Sequence, residues 1–147
     1  MEKINNIFRI NLPEAWEDRT VFTYFGPYDS GIQHNLTVAV DPKPKEKKDL
    51  SQYVRSQIRN NESNFPGFTM IAEREKQLSS GFPAYEIVYK YCPAAGKVIF
   101  QKQIFILAEN KGYILTASFS KKTMNTVAKV VDEMIASFTP VELEMEE

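Results

Sequence analysis

An α+β fold is predicted, an antiparallel β-sheet carrying two main helices, and three observations predict it. Apolar residues recur with a period of two through most of the chain, two stretches switch to spacings of three and four, and the connections between the later β-runs are only three or four residues long. With 147 residues, 43% hydrophobic and 25% charged, the chain can bury about 68–70% of its unfolded surface and needs no disulfide or metal to hold its core. Residues 1–140 are read as one domain and 141–147 as an acidic tail.

The chain opens with two β-runs. Ile7-Phe8-Arg9-Ile10-Asn11-Leu12 alternates, Pro13-Glu14-Ala15-Trp16-Glu17-Asp18 turns, and Thr20-Val21-Phe22-Thr23-Tyr24-Phe25 follows, which predicts a hairpin. Gly26-Pro27-Tyr28-Asp29-Ser30-Gly31 reads as a loop, and Leu36, Val38 and Val40 alternate with Thr37 and Ala39 as a third strand. A lysine-rich segment, 42–48, reads as a solvated connector. Leu50, Tyr53, Val54, Gln57, Ile58, Asn61 and Phe65 then share one helical face. Asp49 with Gln52 three residues on supplies a capping box, and Pro66-Gly67 stops the helix.

Four β-runs come next, 68–78, 83–92, 97–109 and 112–118, joined by Ser79-Ser80-Gly81, Pro93-Ala94-Ala95-Gly96 and Asn110-Lys111-Gly112, and they predict a meander. Met124, Val127, Ala128, Val131, Met134, Ile135 and Phe138 predict a second amphipathic helix with Lys129, Asp132 and Glu133 on its polar side.

Several function classes lose support at once. Eighteen basic against nineteen acidic residues leave a net charge of −1, so nucleic acid is not an expected partner. The polar N-terminus lacks the apolar run of a signal peptide and no apolar stretch spans a bilayer, so a cytoplasmic location is expected, as the single Cys92 also suggests. His34, the one histidine, is expected at a surface or strand edge, without the converging partners a metal site or triad needs. No phosphate-binding glycine motif is present. Glu73 and Glu75 alternate with Arg74 and Lys76, which reads as a solvent-facing charged edge. No cofactor, metal or catalytic residue is therefore assigned, and no enzyme is expected.

What remains is an excess of sheet-facing apolar surface. Ile99, Gln101, Gln103, Phe105 and Leu107 share one face of a strand, and Val98, Phe100, Lys102, Ile104 and Ile106 the other. Both faces need a cover, and two short helices are a small one for seven strands, so a partner is expected on the rest. Gln57, Gln101 and Gln103, set among apolar neighbours, are expected to offer their amides to that partner.

The run from Ile10-Asn11-Leu12-Pro13 to Trp16-Glu17-Asp18, the helix Tyr53-Val54-Arg55-Ser56-Gln57-Ile58 ending in Phe65-Pro66-Gly67-Phe68, and Gln101-Lys102-Gln103-Ile104-Phe105-Ile106 resemble the Eag chaperones. These are DcrB-related proteins of type VI secretion systems, and the resemblance spans nearly all of 8–140. It implies a Mog1/PsbP-like fold, a homodimer, and a groove that shields the N-terminal transmembrane helices of a PAAR-domain effector until export. It places the client-binding residues at Val21, Thr23, Val38, Gln57, Asn61, Phe65, Ile99 and Gln103, and implies no small-molecule cofactor. The alternative is a general protein-binding module of the same fold, with a folded partner in place of a membrane helix.

Overall fold

Alternation and tight turns bring six of eight strands into one sheet in the computed structural model, which describes residues 2–4, 8–29, 32–41, 49–108 and 111–141. The elements run β1 (Glu2–Ile4), β2 (Arg9–Asn11), β3 (Val21–Asp29), β4 (Ile32–Asp41), α1 (Leu50–Asn64), β5 (Thr69–Gln77), β6 (Pro83–Ala94), β7 (Lys97–Ala108), β8 (Lys111–Phe119) and α2 (Ala128–Ala136). The main sheet is antiparallel in the order β3-β4-β8-β7-β6-β5, and β1 pairs with β2 in a separate ribbon. The lysine connector 42–48 and the tail 142–147 lie outside the described residues.

The predicted opening hairpin is not the pairing found. β3 pairs with β4, and β2 pairs with β1. The turn separating β3 from β4 is far shorter than the 12–20 segment separating β2 from β3, so the closing entropy favours the nearer partner. The expected loop at Gly26-Pro27-Tyr28-Asp29 is instead the end of β3, with the register shifting between Phe25 and Tyr28. Pro27 is tolerated at that irregularity because β3 is an edge strand with no second neighbour needing its amide. Asp49 caps α1 as expected, accepting from the Gln52 amide at 2.9 Å while the Gln52 side chain accepts from the Asp49 amide.

The helices take opposite faces of the sheet. Tyr53, Val54 and Ile58 of α1 bury against Ile87, Tyr89 and Phe105, while Val131 and Ile135 of α2 bury against Ile104, Ile106, Leu115, Ala117 and Phe119. α2 starts later than its spacing suggests. Ser120 and Thr123 exchange side-chain and backbone hydrogen bonds, which holds residues 121–127 in turns and still lets Met124 and Val127 pack on the core. No described helix is long and apolar enough to cross a membrane.

β5 adds to its expectation. It is the exposed, charged edge strand expected, and its charges are paired as well: on the α2 face Arg74 and Lys76 close on Glu86, a β6 residue only 1% exposed, with Lys76 Nζ at 2.9 Å. Lys102 lies 3.6 Å from the same carboxylate and 2.7 Å from Asp132 of α2, so a buried chain of charges ties β5, β6, β7 and α2 together. On the α1 face Glu73 accepts from Arg55 of α1 and from Tyr85.

Burial pushes the Glu86 carboxyl up, but the hydrogen bond from Lys76, the charge of Lys102 and the hydrogen bond from Arg74 outweigh it and hold the group below its ordinary value. A carboxyl depressed by folding contributes stability that is complete above the unfolded value and lost as pH falls from there through the lower folded value. Acidification through the ordinary glutamate value of 4.5 is expected to lower Tm. Glu86→Gln should flatten that dependence and, because Lys102 keeps Asp132 while Arg74 and Lys76 lose their carboxylate, cost about 1–3 kcal/mol at neutral pH. Thermal melts of both proteins from neutral pH to about pH 3 check both outcomes.

Candidate functional site

α1 makes its main contacts with β6 and β7, so the rest of its sheet face has no helix above it. The register shows what lies there. Gln103 of β7 pairs with Thr116 of β8, Thr116 with Thr37 of β4, and Thr37 with Thr23 of β3, one row of polar side chains running from beneath α1 to the sheet edge. Two residues along, Phe105, Ile114, Ala39 and Val21 form a parallel apolar row. Since Phe105 packs under Tyr53, both rows belong to the α1 face. The result is a trough with α1 as one wall, small residues on its floor, and β3 as its open lip, where Val21, Thr23 and Phe25 are exposed.

Most residues implied by the resemblance converge here. Val21, Thr23 and Gln103 lie on this face, and Gln57 sits between Tyr53 and Asn61 along α1, half-buried on the wall. Ile99 pairs in register with Tyr91, and Phe65 stacks on Tyr91 at 4.7 Å and on Tyr89 at 5.9 Å, so these two stand at one end. Val38 does not join them. It alternates onto the opposite face with Leu36 and packs into the α2 core, because one residue of displacement along a strand reverses the side.

The glutamines also differ from expectation. Gln103 accepts from buried Asn61 at 2.8 Å and donates to Thr116 Oγ1 at 3.2 Å. In the next row, Tyr89 donates to Gln101, whose amide donates to Ser118 Oγ at 3.0 Å. Burial, with the Tyr91 charge adding, pushes the Tyr89 phenol up, so it keeps the proton it donates. Both amides are thus engaged within the fold and are not idle groups awaiting a partner.

The sequence reading passed over Thr37, Ala39, Thr116 and Ser118. Their signal was the other half of each alternation: small and hydroxylated residues opposite Leu36 and Val38 on β4, and opposite Leu115 and Ala117 on β8.

Catalytic geometry is sparse. Among the described residues no three His, Cys, Asp or Glu side chains come together as metal ligands. His34 is not at the surface as expected. It is 6% exposed on β4, and neither ring nitrogen has a hydrogen-bond partner among the described residues, while Gly26 on β3 leaves room for it, since a Cβ there would meet the His34 Cβ at 3.2 Å.

A family model described as DcrB matches residues 9–137. The crystal structure of PA94, a protein of unknown function from Pseudomonas aeruginosa, is similar with a TM-score of 0.78 at 17% identity, over 97% of this chain and 98% of that one. The solution structure of cyanobacterial PsbP from Synechocystis is similar with a TM-score of 0.57 at 13% identity, over 82% of each chain. These likenesses give the fold, which is PsbP-like as the resemblance implied. No curated protein is significantly similar.

Because Gln103 is the one hydrogen-bond partner that joins buried Asn61 to the sheet among the described residues, Gln103→Leu is expected to destabilise, reversing the idea of a spare amide. Stranding the Asn61 amide should cost about 1–3 kcal/mol, read as a Tm lowered by several degrees against wild type.

Proposed function

We propose that this chain, which belongs to the DcrB family, binds and shields an apolar helix of another polypeptide and carries out no reaction of its own. The trough is the observation that supports this reading. From β7 to β3 it spans three strand spacings, about 14 Å at the usual 4.7–4.9 Å each, and a helix with its side chains is about 10–12 Å across. One helix fits between α1 and the lip.

The chemistry of the floor favours a membrane helix over an ordinary amphipathic one. Thr37, Ala39, Thr116 and Ser118 are small and let a backbone come close, and the hydroxyls of Thr37, Thr116 and Ser118 supply hydrogen bonds. Helices pack on one another in lipid through surfaces of this kind. The resemblance to the Eag chaperones supplies the occupant: the N-terminal transmembrane helices of a PAAR-domain effector of a type VI secretion system, held in the cytoplasm before export. Ala39→Trp should fill the floor and cut capture of that segment at least about tenfold, or about 1.4 kcal/mol. Co-purification with a carrier fused to the effector's apolar N-terminal segment measures this, and retention of the segment by the variant would count against the trough.

A homodimer belongs to the same reading. β3 presents Phe22 and Tyr24 on one side and Val21 and Phe25 on the other, all exposed, along an edge with no neighbour among the described strands. Such an edge invites a second copy. The same aromatic residues also favour the second reading, a module for a folded protein partner, because aromatic anchors mark such interfaces. Light scattering at micromolar concentration should give twice the 16.9 kDa chain mass, and Tyr24→Lys should move it toward the monomer. A wild-type monomer would favour the folded-partner module.

A further inference from the structure

The two hydrogen-bond chains beneath α1 run in the same direction. In one, Asn61 donates to Gln103 and Gln103 donates to Thr116; in the other, Tyr89 donates to Gln101 and Gln101 donates to Ser118. Each chain begins under the helix and ends on a β8 hydroxyl that has already accepted a hydrogen bond. A hydroxyl that accepts from an amide still has its own proton to give. Neither Thr116 nor Ser118 has an acceptor for that proton among the described residues, and the hydroxyls of Thr37 and Thr23, next in the row, have no partner there either. Hydrogen bonds in series polarise one another, which makes the terminal proton a stronger donor than an isolated hydroxyl.

The trough floor therefore offers hydroxyl protons for which the described residues supply no acceptor. We infer that the hydroxyl row of Thr116, Thr37 and Thr23, primed by Asn61 and Gln103, is the specificity element of the trough, and that it selects an apolar helix carrying a side-chain oxygen acceptor, as in Asn, Gln, Ser or Thr, midway along its buried face. This rests on the reading of the trough as a helix-binding site and adds which helices it prefers. The backbone carbonyls of a helix are engaged within the helix, so the acceptor must come from a side chain. An entirely aliphatic helix would bury the row's hydroxyls with nothing to accept from them, and a basic side chain would bury a charge with no counter-charge in the row. Thr23, at the lip, is the most exposed member of the row and would close last over the bound helix.

The test uses the full chain and two probes: a soluble carrier fused to a helix of about twenty leucine and alanine residues, and the same carrier with one central alanine replaced by Asn. Wild type is expected to bind the Asn helix about tenfold more tightly than the plain one, the value of one satisfied hydrogen bond together with the penalty avoided. Thr37→Val, whose lost hydroxyl bonds to nothing within the fold, should bring that ratio close to one, with the plain helix bound more tightly than by wild type, the Asn helix more weakly, and Tm unchanged. Thr116→Val should do the same with a modest fall in Tm, since Gln103 loses its acceptor, and Thr116→Ser should restore the preference. Equal binding of the two helices by wild type, or a preference that survives both valine variants, overturns the hydroxyl row and leaves the trough standing. Failure of wild type to bind either helix overturns the trough itself.

Discussion

The position of α1 over β6 and β7 is the constraint on which the rest depends. Six strands make a sheet wider than one helix can cover, and α1 is drawn to the side where Ile87, Tyr89 and Phe105 offer the largest apolar rings and branches to Tyr53, Val54 and Ile58. Arg55 reaches outward to Glu73 and Tyr85 and fixes the helix from that side. Its opposite side is set by Tyr53 lying over Gly112, where any Cβ would collide with the phenol ring. Held from both sides, α1 stays clear of β4 and β3, and the uncovered strip becomes the trough.

The other face of the sheet solves the same problem differently. α2 has only nine residues and covers its part of the sheet with Val131 and Ile135, while Asp132 anchors it to Lys102 and through Lys102 to Glu86. A buried carboxylate is tolerable here because Arg74 and Lys76 reach across from the edge strand to complete its hydrogen bonds. Charge thus supplies orientation where the short helix supplies little area. Apolar contact dominates on the α1 side, and that side carries the open surface.

Function follows from which groups the fold leaves uncommitted. A glutamine in an apolar strand looks available until its neighbours are known, and in this protein both β7 glutamines are consumed by Asn61, Tyr89, Thr116 and Ser118. Their engagement transfers the free hydrogen-bonding capacity one strand over, to hydroxyls on small side chains at the bottom of the trough. This suits a site for an apolar helix, since small hydroxylated residues keep the floor low and still satisfy an isolated polar group. The exposed β3 edge adds a second, aromatic surface of different chemistry beside the first.

By itself the sequence determined the fold class, the four-strand meander, the capping box of α1 and the apolar stripe of each helix, because all of these are local: period, turn residues and caps act within a few positions of each other. It also brought Val21, Thr23, Gln57, Asn61, Ile99 and Gln103 to notice. Only the tertiary structure decided that Val38 turns to the other core, that β2 leaves β3 for β1, that His34 is buried, and that Glu86 and Lys102 meet inside. Each of these depends on register or on pairing between distant segments, and a strand's alternation says that two faces exist without saying which one a helix will cover. For that reason the apolar half of β4 drew attention in the sequence, while its small-residue half, Thr37 and Ala39, turned out to line the trough.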